Sequence, residues 1–242
     1  MTEKIQAIVI KSTDRKEKDK NVLLFSIEKG KCWATLKGVK GSGAKMKIAQ
    51  NLFCFGEFLL ENGKFGQVVT GFSSIETFHE LSEDVDKYFE ATALLEIVGA
   101  IEFSSVAEQK AVFVLLLQAL KTLCFGGAPA NYVLDKFLLE LFKIYGFPIS
   151  YEKCSCCGAK AFEKTYFDYQ NGEIVCTNCK SFNSEELSKI TYSALKILSG
   201  CDFDRFSTIH LAQGSELGLL RVLVRNFEAR FEKRLKLMGI LS

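Results

Sequence analysis

Four cysteines carry the clearest chemistry in this 242-residue chain. Cys154 and Cys157 form one C-x2-C pair, Cys176 and Cys179 form another, and 18 residues separate the pairs. Two thiolates at the tip of each tight turn make a set of four soft ligands. Zinc in structural sites takes such a set in a closed tetrahedron with no open position. Gly158 and Thr177-Asn178 supply the small, turn-forming residues that such knuckles need. Between the pairs, 166–169 and 173–175 are predicted to form a hairpin turning at Gln170-Asn171-Gly172, because Asn-Gly favours tight hairpin turns. An iron–sulfur centre has the same ligand demand, and Cys156 is a spare cysteine beside the first pair. One structural Zn2+ is the expected cofactor. The nine cysteines are an odd number, which argues against a disulfide framework.

Lysine is the second chemistry. Residues 1–50 carry 12 Lys/Arg against 5 Asp/Glu, whereas the whole chain is only +2. This front-loaded charge is the footprint of a polyanionic partner. Lys11, Arg15, Lys37, Lys40, Lys45 and Lys47 are the candidate phosphate contacts. The stretch 37–47, KGVKGSGAKMK, has no acidic residue and reads as a mobile basic loop. Lysine contacts of this kind are salt-dependent and largely sequence-independent. Trp33, Phe53, Phe55 and Phe58 are aromatic candidates for base stacking, with a core role as the alternative. Phe53 and Phe55 are expected on one face of a strand. Arg221, Arg225, Arg230 and Arg234, on the last helix, are secondary candidates for the same path. The cysteine segment has no positive excess, so it is expected to brace the fold.

No G-x-x-x-x-G-K-[ST] or G-x-G-x-x-G pattern occurs, and the two histidines, His79 and His210, suggest neither a metal pair nor a triad. An enzyme is not expected. The longest apolar run is too short to span a bilayer, so the protein is expected in the cytoplasm, associated with the nucleoid, with no membrane partner.

The elements that must position these residues follow from periodicity. Strands are predicted at 5–10, 22–27, 32–36, 52–60 and 66–72, with Gly56 as a bend or bulge. Five short strands imply a small barrel of OB-like or SH3-like type. The period changes near residue 80. Helices are predicted from Ser82 to about Val98, over 107–124 and over 131–145, with Gly146-Phe147-Pro148 as a stop. The 107–124 helix is apolar all round and should be central. After the cysteine segment, a helix is predicted from Ser184 to Leu198, a turn or short helix from Arg205 to His210, and a last helix from about Glu216 to Leu237. The fold class is therefore α+β. A barrel at 1–79 precedes a helical domain at 80–242, with a zinc-binding insertion at about 150–182.

These residues resemble the RecO family of recombination mediators along nearly the whole chain. The likeness rests on Ile8–Lys11, Glu17 and Asp19, Val22–Phe25 and Gly30. It continues through Lys37-Gly38-Val39-Lys40-Gly41-Ser42-Gly43-Ala44-Lys45. Tyr145-Gly146-Phe147-Pro148 leads into Cys154-x2-Cys157-Gly158, and Leu220–Arg225 closes the match. The resemblance implies an OB fold at the N-terminus and binding of single- and double-stranded DNA. It implies annealing of complementary strands and cooperation with RecR. It also implies capture of the acidic tail of the single-stranded-DNA-binding protein and, indirectly, loading of RecA. Where the family stretch is often arginine-rich, this chain has lysine and extra glycine. A scaffold that binds mainly proteins, with weak DNA contact, is the alternative reading.

Overall fold

A computed structural model describes the chain apart from residues 1, 16, 42–43, 127–129, 161–162, 213 and 237–242. The side chains of Lys40, Ala44, Lys45, Ala130, Asn131, Ser215 and Glu216 also lie outside the description. The chain divides into two compact units, Met1–Cys124 and Phe125–Ser242.

The first unit begins with five strands: β1 (Glu3–Asp14), β2 (Lys20–Ser26), β3 (Gly30–Leu36), β4 (Phe55–Gly63) and β5 (Gly66–Glu76). They close in the order β1-β2-β3-β5-β4, with β1 pairing to β4 and a short parallel pairing between β3 and β5. This is the strand order of an OB barrel. Alternate residues fill the interior, among them Ile5, Ala7 and Val9 from β1, Val22 and Leu24 from β2, and Phe58 and Leu60 from β4. Gly56 sits at a register shift in the β4–β5 ladder. A Cβ there would lie 2.5 Å from the Phe72 ring and 2.6 Å from the Ser73 carbonyl oxygen. Only glycine lets the two strands approach so closely.

Three local readings differ from the expectation. Residues 37–47 are not simply a loop. Val39–Gly41 is a 3-10 turn and Ala44–Ile48 is a short helix, α1. Val39 is fully buried and Met46 and Ile48 pack against the barrel core, so three apolar residues anchor the basic segment. β4 begins at Phe55, and Phe53 turns away in a left-handed conformation (φ 69°). Phe53 and Phe55 therefore do not share a strand face. The helix α2 (Val85–Ala100) starts beyond Ser82, with Asp84 as N-cap accepting the Lys87 N–H at 3.1 Å.

The helix α3 (Val106–Phe125) packs within the barrel's own unit. Its Phe113 meets Phe25 and Phe55 edge-on at 5.5 and 6.0 Å, and Phe103 stacks on Phe25 at 5.2 Å. Gln109 donates to the carbonyls of Ser26 and Ile27 in the β2–β3 turn. Phe25, on the barrel's outer surface, is buried for this reason. Sequence periodicity marks where the strands end, while the first compact unit extends through nearly all of α3.

The second unit contains α4 (Ala130–Ile144), α5 (Lys189–Gly200), a 3-10 segment (Phe203–Thr208) and α6 (Ser215–Phe231). A three-stranded sheet interrupts it: β6 (Thr165–Asp168), β7 (Glu173–Cys176) and β8 (Ser184–Leu187), in the order β7-β6-β8. The segment from Ser184 is thus a strand before it is a helix. Its Glu185 and Glu186 pair with Phe167 and Tyr166 of β6, and Ser188, not Ser184, caps α5 through the Thr191 N–H at 3.0 Å. α6 ends at Phe231, with Glu232 in a left-handed cap. The rest of the predicted last helix, to Leu237, runs past this cap and partly outside the described residues. Among the described residues, no helix is long and apolar enough to cross a membrane.

Candidate metal centre and nucleic-acid interface

The four cysteines converge. Their Sγ atoms all lie within 4.8 Å of one another, and Cys157 and Cys176 are 3.8 Å apart. A tetrahedral site with metal–sulfur bonds of about 2.3 Å needs sulfurs about 3.8 Å apart, so the set can hold a metal ion. The knuckles are built by backbone hydrogen bonds. Gly158 N–H donates to the Cys154 carbonyl at 2.9 Å, and Cys179 N–H donates to that of Cys176 at 3.0 Å. The β6–β7 hairpin turns through Gly172 (φ 66°), whose N–H reaches the Asp168 carbonyl at 2.7 Å. This hairpin returns the second pair beside the first.

Electrostatics in the cluster favour a cation. Burial pushes the Cys154 thiol up, but N–H groups of Cys157, Cys176 and Cys156 outweigh it and bring it down to about 6. Cys179 is pushed upward by its hydrogen bonds to Cys157 and Cys176. Four crowded sulfurs cannot all ionise beside one another unless a positive ion sits among them. Cys156 is exposed and is not among the four.

The basic residues divide between two places. A cleft of about 250 Å³ opens at the barrel, lined by Arg15, Asp19, Thr35, Lys37, Lys64 and Phe65. The β1–β2 loop, the end of β3 and the β4–β5 turn supply these side chains. Its wall is pre-formed: Arg15 donates to the Thr35 hydroxyl, which donates to Asn21 at 3.0 Å. Asp19 accepts the Gly38 N–H at 2.9 Å, so the carboxylate is occupied at the backbone. Arg15 and Lys37, both exposed, are thereby brought together. Lys11 on β1 and Lys47 on α1 are exposed but do not line the cleft. Lys40 lies in the 3-10 turn and Lys45 in α1, with side chains outside the description.

Sequence reasoning missed Lys64 and Phe65. Phe65 is 78% exposed at the tip of the β4–β5 turn, with the Lys64 ammonium 5.5 Å from its ring. The signal was present: an aromatic between Gly63 and Gly66 at a hairpin tip has no core to enter. Of the aromatics singled out from sequence, Phe53, Phe55 and Phe58 are buried, and Trp33 on β3 is 48% exposed.

The arginines of α6 are not alike. Arg225 binds Glu185 at 2.7 Å and lies 3.9 Å over the Tyr169 ring. Arg230 lies 5.5 Å from the Phe147 ring and against the Gly172 turn. Arg221 and Arg234 are exposed.

Comparison with known proteins covers nearly the whole chain. The family model described as Recombination protein O N terminal matches residues 1–78, and that described as Recombination protein O C terminal matches residues 82–238. The chain is 26% identical over 239 residues to a protein of Clostridium novyi named DNA repair protein RecO, covering 99% of this chain and 93% of that one. Proteins of the same name from Desulforamulus reducens and Pelotomaculum thermopropionicum are 28% and 29% identical. Those matches cover 96% and 97% of this chain and 91% and 85% of the relatives.

Proposed function

The chain belongs to the RecO family, and from that premise we propose that it is a DNA-binding recombination mediator that works by binding, not catalysis. In this reading it anneals complementary strands and, with RecR, helps load RecA onto single-stranded DNA covered by its coating protein. It receives that protein's acidic tail. The observation that carries the DNA reading is the barrel cleft, where Arg15, Lys37 and Lys64 surround an exposed Phe65. In OB folds the loops between strands 1 and 2 and between strands 4 and 5 grip oligonucleotides. Cations there would neutralise phosphates, and an exposed ring accepts a base on its face without regard to sequence. Lys11 and Lys47, both exposed, extend the basic surface beyond the cleft, and Lys40 and Lys45 are further candidate phosphate contacts from the sequence.

The four-cysteine centre in this reading holds one zinc ion with a structural role. Its ligands are Cys154, Cys157, Cys176 and Cys179, and the closed set leaves no position for substrate.

Binding of a labelled single-stranded oligonucleotide across a salt series tests the reading. The expected outcome is a linear loss of log affinity with log salt, reduced in slope for Lys37→Ala/Lys40→Ala/Lys45→Ala. Phe65→Ala is expected to weaken binding by roughly 1–3 kcal/mol while leaving the salt slope unchanged. A salt-independent affinity, or full affinity in the triple variant, would remove the role given to these lysines.

A further inference from the structure

The first turns of α2 carry an apolar face that the DNA-binding reading does not use. Val85, Tyr88 and Phe89 are three and four residues apart, share one side of the helix, and are 69%, 38% and 47% exposed. The two rings meet each other edge-on at 6.4 Å, and Tyr88 stands edge-on upon the buried Phe53 ring at 5.7 Å. Phe53 is held in a left-handed backbone conformation (φ 69°), which a bulky residue adopts only when its surroundings demand it. The rings therefore form a supported platform rather than loose surface side chains.

The platform has an acidic collar. Residues 76–89 contain five carboxylates, Glu76, Glu80, Glu83, Asp84 and Asp86, against one lysine, Lys87, while the next carboxylate, Glu90, faces inward. That lysine is half-buried and reaches the Cys124 carbonyl at 3.4 Å. His79 lies beside Glu83 at 3.5 Å. A phosphate backbone or an anionic lipid surface would be repelled here. We propose that this face of α2 docks a protein segment that presents lysine or arginine residues around one or two apolar anchors. Exposed apolar rings supply the anchoring contact, and the carboxylates select the charge of the partner. The lysine-rich segment of a second copy is a poor occupant, because its branched residue, Val39, is buried in its own barrel.

The test uses the full chain and a labelled amphipathic peptide in which lysines flank two leucines. Control peptides replace lysine by glutamate or leucine by serine. The expected result at low salt is binding of the lysine–leucine peptide alone. Phe89→Ser, and separately the more exposed Val85→Ser, should each lower its affinity about tenfold or more. Asp86→Asn with Glu83→Gln should lower it severalfold, and oligonucleotide affinity should be unchanged in all of these variants. Thermal melting of each variant checks folding, and Val85→Ser keeps the test open if Phe89→Ser does not fold. Absence of peptide binding, equal binding of the serine control, or binding within twofold of wild type in Val85→Ser would overturn the proposal. So would self-association of the wild-type chain that Val85→Ser abolishes, which would make this face a contact between copies.

Discussion

At the scale of single residues, burial and charge set which side chains are free to act. Glu90 is an inward carboxylate on α2 with one oxygen buried and lacking a hydrogen-bond partner among the described residues. Burial first, and then the Asp86 charge, push it up to about 7 from an ordinary 4.5. A raised carboxyl favours the fold while it is protonated. That contribution is complete below the unfolded value of 4.5 and is gone once the pH has passed about 7. Melting temperature should therefore decline across this window, and Glu90→Gln should flatten the decline. The variant should gain on the order of 2–3 kcal/mol at pH 8 relative to wild type, read by denaturant unfolding at both ends of the window. The four clustered cysteines make a second residue-scale case. Cys154→Ser or Cys179→Ser should abolish stoichiometric zinc in a metal assay and lower the stability of the second unit, since binding energy of a structural ion is folding energy. The four-cysteine set was legible because C-x2-C spacing encodes its own geometry. Phe53 was not, because nothing in Leu52-Phe53-Cys54 announces a left-handed residue inside an apolar run.

Among the elements, the small β-sheet and α6 are joined by specific contacts within the second unit. The Gly172 turn lies against α6, where a Cβ would come within 2.7 Å of the Arg230 guanidinium and 2.8 Å of Asn226 Oδ1. Arg225 adds an ion pair to Glu185 on β8 and a cation–π contact to Tyr169. Gly172→Ala would combine a clash with a strained positive φ, and is expected to cost about 1–3 kcal/mol in thermal melts. Arg225→Ala should also lower stability, with little change in the salt slope of DNA binding, because this side chain is engaged with the sheet. Helix periodicity of α6 exposed its arginines to sequence reading, but it said nothing of what would lie across them. The strand β8 was hidden for a related reason. Ser184-Glu185-Glu186-Leu187 looks like a helix start in isolation, and only pairing with β6 makes it a strand. The barrel strands were readable because their interior positions alternate. The 37–47 segment was misread because two of its three anchors, Val39 and Met46, are isolated apolar residues among lysines and glycines.

For the whole molecule, charge is sorted along the chain: the first 50 residues hold 12 of the 31 basic residues and 5 of the 29 acidic ones. The sorting is useful only because the barrel brings Arg15, Lys37 and Lys64 from three separate segments to one cleft. The first two were visible in the sequence, whereas Lys64 needed the β4–β5 turn to bring it there. The cysteine site, by contrast, was recognisable before any fold was known, because each pair is local and the hairpin signal between them is strong. In the proposed division of labour, mediation of recombination falls to the basic barrel surface and bracing to the metal centre. Annealing of complementary strands covered with single-stranded-DNA-binding protein tests that division most directly. The expected result is rapid annealing on addition of the wild-type chain and a severalfold slower rate with Lys37→Ala/Lys40→Ala/Lys45→Ala at matched folding and zinc content. Coated strands that anneal no faster with the wild-type protein than without it, or equally fast with the triple variant, would contradict it.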